Sequence, residues 1–129
     1  MDNKPVCSIV MAVYNGEETL KEAIESILVQ SLKNFEFIII NDASTDNTEK
    51  IIKSFEDSRI IYMKNSTNKY LGPSLNEGIK IARGKYIVRM DADDICYPNR
   101  LDIQYEFMEK NNDIGIAGCW AKLFGIREG

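Results

Sequence analysis

The sequence predicts an α/β fold in which a mostly parallel β-sheet carries helices on both faces, giving three layers. Short segments that are almost wholly apolar, such as residues 8–13 and 35–40, are typical of parallel strands buried on both sides. Amphipathic helical segments separate them, and this alternation favours right-handed crossovers between parallel strands. At 129 residues, with 44% apolar and 28% charged residues, the chain is predicted to form one domain over residues 1–129.

The first half of the chain contains two predicted strands, each followed by a helix. Residues 8–13 form the first strand, and a polar turn at residues 14–16 leads into an amphipathic helix. Its apolar positions recur at helical spacing: Leu20, Ala23, Ile24, Ile27 and Leu28. Residues 35–40 form the second strand. A capping box made by Asp46 and Glu49 is predicted to start the second helix, which carries Ile51, Ile52 and Phe55.

The second half continues the same alternation. Residues 59–63 form the third predicted strand, and Pro73 opens a helix that Gly84 terminates. Residues 86–90 form the fourth strand, and Pro98 opens the fourth helix, with Leu101, Tyr105 and Met108 facing inward. Residues 114–119 are predicted as a fifth strand.

Composition excludes several classes of protein. The chain has no histidine, so Ser-His-Asp hydrolysis, histidine-ligated zinc and histidine phosphotransfer are ruled out. Cys7, Cys96 and Cys119 match no zinc or redox spacing and are interpreted as buried free thiols. The net charge of -4 argues against a nucleic-acid-binding surface. Neither a signal peptide nor a membrane segment is visible, so we expect a cytoplasmic location.

Three carboxylates follow the fourth predicted strand within four residues, at Asp91, Asp93 and Asp94. Residues i and i+2 of an extended segment point to the same side, so Asp91 and Asp93 are able to face one cation. Because crowded carboxylates repel one another, a hard cation with oxygen ligands, Mg or Mn, is the predicted occupant. The alternative is that these residues cap the next helix or solvate a turn, and Asp94 in particular is able to orient the turn.

Two other polar clusters follow predicted strands and should share the same rim, because ligands collect at the carboxyl ends of parallel strands. Asp42 is either an Asx-turn residue or an acceptor for a base N–H or a ribose hydroxyl. Tyr14 is either a surface aromatic or a platform for a nucleobase. Arg89 has either a diphosphate or neighbouring carboxylates as its partner, and Lys69 is a second nearby cation.

The ordered set of these segments closely resembles family 2 glycosyltransferases with the GT-A fold. It extends from Ser8 into the predicted helix after Pro98 and is more specific than any single motif. The segments that carry the resemblance are Ser8 to Asn15, Ser26 to Ser31, Asn41 to Thr48, and Gly84 to Asp94.

The resemblance implies a Rossmann-like nucleotide-binding half that binds a nucleotide-sugar donor, usually a UDP-sugar. It also implies inverting transfer to a hydroxyl in bacterial surface polysaccharide synthesis. By position, Tyr14 and Asp42 would hold the uracil, Asp91 would lie by the ribose and metal, and Asp93 would bind Mg or Mn. The remaining implied donor-binding residues are Val13, Asn15, Glu17, Asn68, Asn76 and Ala92. Leu75 stands where many relatives have arginine, so that phosphate contact is either lost or supplied by Lys69 or Arg89.

Relatives also carry an acceptor-binding half with an acidic general base, and no carboxylate of this chain matches that base. We therefore expect a donor-binding part whose catalytic base and saccharide or lipid-linked acceptor belong to a longer protein. A homodimer with contacts near Phe124 is a further expectation. A non-catalytic nucleotide-binding module and a metal-dependent phosphohydrolase remain alternatives, whereas a nicotinamide-binding domain lacks the required glycines.

Overall fold

Four parallel strands alternate with four helices in a computed structural model, which describes residues 4–118. The strands are β1 (Cys7–Val13), β2 (Phe35–Asn41), β3 (Ile60–Lys64) and β4 (Tyr86–Arg89). The helices are α1 (Leu20–Leu28), α2 (Thr48–Lys53), α3 (Leu71–Ile81) and α4 (Arg100–Lys110). The four strands and four helices predicted within residues 8–110 are therefore confirmed.

The strand order in the sheet is β3-β2-β1-β4, and every neighbouring pair is parallel. The chain builds outward from β1 to β3 and then returns to place β4 on the other side of β1. This return makes the order reverse between β1 and β4, which is where open α/β sheets usually bind ligands.

Both faces of the sheet are covered, as the apolar strands predicted. Alternate residues of β1 and β2, including Ile9 and Phe37, pack on one face with residues of α1, α2 and α4. Val10, Ile38 and Ile40 point to the other face, where Leu75 of α3 covers them. Gly78 lets α3 approach closely, since a Cβ there would lie 2.7 Å from both Ile40 Cδ1 and Val10 Cγ1. The three-layer prediction is confirmed.

The start of α2 differs from the prediction. The helix begins at Thr48, and the Asp46 carboxylate accepts hydrogen bonds from the Thr48 N–H at 2.9 Å and the Thr48 hydroxyl at 2.6 Å. Glu49 does not reach back toward Asp46, because its carboxylate accepts a hydrogen bond from the Tyr62 hydroxyl on β3. The predicted capping box is therefore wrong, and Asp46 caps Thr48 without a reciprocal contact from Glu49.

The role predicted for Gly84 is also wrong. Helix α3 starts at Leu71, two residues before Pro73, and ends at Ile81, with Ala82 already extended at ψ 134°. A Cβ on Gly84 would lie 2.5 Å from the Cys7 carbonyl carbon, so glycine is required there by the close approach of β1. Gly84 also donates its N–H to the Ser8 hydroxyl at 2.8 Å.

The segment that leads into α4 is held against α1 by a buried side chain. Gln30 donates to the carbonyl oxygens of Ser26 and Tyr97 and accepts the Leu101 N–H at 3.1 Å. Helix α4 itself begins at Arg100, two residues after Pro98.

Residues 114–118 form no strand, so the predicted fifth strand is wrong over these residues. Its last residue, Cys119, and Phe124 of the predicted dimer contact lie outside the described residues. Cys7 is buried, and burial, followed by the charge of Glu36, raises the pKa of its thiol to about 11. Cys96 is likewise buried. Within residues 4–118, no helix has the length and apolar character needed to cross a bilayer.

Candidate functional site

The parallel sheet brings the predicted site residues to one rim. Tyr14 directly follows β1, Asp42 directly follows β2, and Asp91 lies two residues after β4. Because all the strands are parallel, their carboxyl ends share one edge of the sheet. The reversal of strand order between β1 and β4 places Tyr14 and Asp91 on neighbouring strands at this edge.

The acidic triad, which consists of Asp91, Asp93 and Asp94, converges after β4. One carboxylate oxygen from each residue lies within 4.8 Å of the other two. Burial and then the charges of Asp93 and Asp91 raise the pKa of Asp94, while Arg100 lowers it. This mutual repulsion and the oxygen-only donor set fit a hard divalent cation such as Mg or Mn.

Asp94 orients the turn, as the sequence allowed, and its carboxylate also lies within the triad. Its N–H donates to the Asp91 carbonyl at 3.2 Å and closes the turn, while its carboxylate joins the triad. Arg89 is exposed on β4, and its guanidinium lies 3.4 Å from the Asp91 carboxylate. Its nearest charged partner is thus a carboxylate of the triad.

The segment that carries the triad is anchored at both ends. Met90 is buried and donates its N–H to the Val10 carbonyl at 3.1 Å, which continues the β1–β4 pairing. Thr19, just before α1, donates its hydroxyl to the Ala92 carbonyl at 3.0 Å. The Cys96 N–H donates to the buried Ser26 hydroxyl. Ala92 thus serves the site through its backbone.

Two neighbouring rim loops, residues 15–17 and residues 44–48, are joined by six hydrogen bonds. The Asn15 side-chain oxygen accepts the Thr45 N–H at 2.8 Å, and the Glu17 carboxylate accepts the Asn47 N–H at 3.0 Å. In return, the Glu17 N–H donates to Asp46 at 3.2 Å. The side chains of Asn15 and Glu17 therefore fix the shape of the rim.

Asp42 is only 4% exposed and is surrounded by donors from residues 65–70. Its Oδ1 accepts hydrogen bonds from the Asn65 amide at 2.9 Å and the Lys69 N–H at 2.7 Å. Its Oδ2 accepts the Tyr70 N–H at 2.9 Å. Burial alone would raise the pKa of Asp42, but these donors outweigh burial and hold the pKa below its ordinary value. Asp42 is therefore an ionised acceptor at neutral pH.

The other predicted site residues make fewer hydrogen bonds to the rest of the rim. Val13 is buried, and its carbonyl accepts the Asp42 N–H at 2.8 Å. Tyr14 is 52% exposed on the rim. Asn68 accepts the Tyr70 N–H at 3.1 Å, which places it beside Asp42. Asn76 is exposed on α3 and, among residues 4–118, has no hydrogen bond to the acidic triad or to Asp42.

The sequence interpretation missed Asn65 and Ser74, which complete the surroundings of Asp42. Asn65 is buried, and it donates to the Ser74 hydroxyl at 2.9 Å as well as to Asp42. A signal was available, because Asn65 directly follows β3, so that polar residues follow all four strands and not only β1, β2 and β4. Thr19 was also missed, and no pattern in the sequence marks its contact with Ala92.

Two curated relatives are similar to most of the chain. An uncharacterized glycosyltransferase of Methanocaldococcus jannaschii is 48% identical over 122 residues, which are 92% of this chain and 42% of the relative. UDP-Glc:alpha-D-GlcNAc-diphosphoundecaprenol beta-1,3-glucosyltransferase WfaP of Escherichia coli is 43% identical over 102 residues, which are 79% of this chain and 41% of the relative. The chain thus spans less than half the length of these relatives.

Two solved structures share the fold. S. aureus TarS in complex with UDP-GlcNAc matches with a TM-score of 0.78 at 24% identity, over 82% of this chain and 32% of that chain. A mannosyltransferase of Pyrobaculum calidifontis in complex with GDP-Man and Mn2+ matches with a TM-score of 0.70 at 21% identity, over 81% of this chain and 32% of that chain. The family model for glycosyl transferase family 2 matches residues 8–127. With this match over nearly its whole length, the chain belongs to glycosyl transferase family 2.

Proposed function

We propose that the chain is the donor-binding part of a glycosyltransferase that uses a nucleoside diphosphate sugar, with a UDP-sugar as the donor class. The observation that carries the proposal is the convergence of the acidic triad on the rim where strand order reverses, with Asp42 on that rim. The name of the Escherichia coli relative and the UDP-GlcNAc complex of TarS support a UDP-sugar. The GDP-Man complex of the mannosyltransferase supports the broader class of nucleotide sugars.

The acidic triad is the proposed site for Mg or Mn, with Asp93 and Asp91 as the main ligands. When bound, the cation would neutralise negative charge on the diphosphate leaving group. The chain's own contribution is to hold the three carboxylates together, through the Met90 N–H and through the contact of Thr19 with Ala92. Asp91, Asp93 and Asp94 would each offer a carboxylate oxygen to the cation, and the diphosphate would supply further oxygen ligands.

The nucleoside is proposed to bind between the acidic triad and Asp42. Asp42 would accept a hydrogen bond from the base, and Tyr14, which is 52% exposed, would offer its ring to the base. Asn15 and Glu17 hold the loop that carries Tyr14, and Asn68 holds the backbone beside Asp42. Asn76 remains a predicted donor contact from α3.

In the whole protein, we propose inverting transfer of the sugar to a hydroxyl of a saccharide or lipid-linked acceptor in surface polysaccharide synthesis. Such transfer needs a general base to remove the proton of the acceptor hydroxyl. No carboxylate of this chain is assigned to that role, so the chain's residues account for donor binding and for leaving-group stabilisation.

Titration of the chain with UDP in the presence of Mn²⁺, measured by calorimetry, tests the donor site. Binding should occur with Mn²⁺ and weaken at least roughly tenfold with EDTA or in the Asp93→Ala variant, because the diphosphate then lacks its cation. The matched control is Asp113→Ala, an exposed carboxylate after α4 that should leave UDP binding unchanged. Binding that ignores both Mn²⁺ and the base would contradict the proposal and favour a non-catalytic module.

A further inference from the structure

Tyr70 adopts a backbone conformation that is almost restricted to glycine. Its φ of 69° and ψ of 176° lie in a region that L-residues avoid because the side chain crowds the backbone. Tyr70 immediately precedes α3 and carries a large aromatic side chain. A bulky residue in this region is a true outlier, and outliers of this kind cluster at functional sites.

Two other residues of the described chain have positive φ, and both are residue types that tolerate it better than tyrosine does. Asn15 has a φ of 50°, and asparagine tolerates the left-handed region. Ala43 has a φ of 60° and a small side chain. All three adjoin residues of the proposed donor site, but only at Tyr70 does the residue type conflict so strongly with the backbone.

Packing of the Tyr70 ring contributes little stability to the fold to offset this strain. Tyr70 is 75% exposed, so its ring buries little apolar surface. The backbone is held by its N–H, which donates to Asp42 Oδ2 at 2.9 Å and to Asn68 Oδ1 at 3.1 Å. Glycine would keep both hydrogen bonds without the strain. Folding alone therefore does not account for tyrosine at this position.

The fold brings both Tyr14 and Tyr70 close to Asp42. Val13 pairs with Asn41, and Asn41 pairs with Lys64, so the next residue along each strand brings Tyr14, Asp42 and Asn65 side by side. Residues 65–70 then fold back, so that the Tyr70 N–H reaches the Asp42 carboxylate. A planar base hydrogen-bonded to Asp42 by its edge leaves its two faces open to aromatic contact.

We propose that Tyr70 is a donor-binding residue whose ring stacks on the nucleobase held by Asp42. The inference rests on the proposed function and adds a base contact to it. The uracil of a UDP-sugar has one N–H on its hydrogen-bonding edge, which suits an ionised acceptor such as the Asp42 carboxylate. The strained tyrosine is retained because it contributes to binding, whereas glycine would suit the free chain better.

Substitution of Tyr70 by glycine should change stability and affinity in opposite directions. Release of backbone strain should raise Tm by about 2–8 °C after the entropy of glycine is subtracted. Loss of the stacked ring should weaken UDP binding with Mn²⁺ by about 5- to 100-fold. Binding of inorganic pyrophosphate with Mn²⁺ should not change, because that probe has no base. Calorimetric titration and thermal denaturation of the chain measure all three quantities.

Two variants separate the ring from the backbone. Tyr70→Phe keeps the ring and should restore the affinity that glycine loses, without the rise in Tm. Ala43→Gly removes positive-φ strain elsewhere on the rim and should raise Tm with UDP affinity unchanged. A Tyr70→Gly variant that binds UDP as tightly as the wild type, or that melts at a lower temperature, overturns the inference and leaves the proposed function intact. A wild-type chain that binds no UDP overturns both.

Discussion

Asp42 illustrates what a single residue reveals before and after its surroundings are known. The sequence placed it at a strand end and left open an Asx turn or an acceptor role. The structure gives the local turn to Asn41, whose side chain accepts the Ser44 N–H at 3.0 Å. Asp42 instead receives donors from Asn65, Lys69 and Tyr70. These contacts are distant in sequence, so local turn rules were unable to predict them.

Glu36 is the buried carboxylate at the opposite end of the sheet. Burial alone would raise the pKa of Glu36, but hydrogen bonds from Arg83 and Ser8 hold it below the ordinary value of 4.5. A lowered pKa in the folded state stabilises the fold above pH 4.5, and that contribution is lost as the pH falls through the lower folded value. Acidification of the wild-type chain should therefore reduce its stability through this group.

The Glu36→Gln variant should lower the free energy of unfolding at neutral pH by about 2 kcal/mol, because the amide has one acceptor oxygen for donors that bind two. The difference from the wild type should shrink as the pH falls below 4.5. Urea denaturation across this pH range measures both effects. Glu56→Gln, at an exposed position, is the matched control and should change neither. A difference that stays constant with pH would contradict the assignment.

At the scale of elements, apolar periodicity predicted which segments are strands and helices, but contacts decided where they end. The run of residues 35–40 was recognisable because β2 is buried on both faces. Helix α3 ends at Ile81, before Gly84, which is required instead by its close approach to β1. The start of α2 depended on Asp46. Residues 114–118 have the apolar content of a strand, yet they do not pair with the four described strands of the sheet. The apolar pattern of a segment does not show which distant residues it will contact.

Replacement of Gly84 by alanine tests the close approach of the α3–β4 connection to β1. The added Cβ would lie 2.5 Å from backbone atoms of Cys7, which have no room to move within the sheet. We expect a loss of about 1–3 kcal/mol in the free energy of unfolding, measured by urea denaturation. Gly115→Ala, where a Cβ would meet nothing within 4 Å, should be close to neutral. Equal stability of the two variants would argue against the contact.

At the scale of the whole molecule, the rim is a product of strand order. The sequence identified three polar strand ends, and the general rule for parallel sheets predicted that they share an edge. The sequence did not reveal that β4 lies beside β1, which places the acidic triad and Tyr14 after neighbouring strands. Strand order is set by packing of helices across the sheet, and local patterns do not specify it.

The predicted homodimer is a property of the molecular surface. Ile116 is 90% exposed and Ile87 on β4 is 45% exposed, and both line a cavity of about 520 Å³ between β4 and α4. We expect light scattering to give twice the chain mass of 14.7 kDa. Ile116→Lys should shift the chain toward a monomer, while Val29→Lys at the exposed end of α1 should not. A monomeric wild-type chain would contradict the prediction.

The six hydrogen bonds between residues 15–17 and residues 44–48 limit the sequence changes that this site tolerates during evolution. An insertion in either loop would misalign donors and acceptors in the other, so length changes in the two loops must be matched to be tolerated. Residues 65–70 are attached mainly through Asp42 and are free of that mutual constraint. New preferences for the proposed donor should therefore evolve first through substitutions in that segment, with the two joined loops changing little.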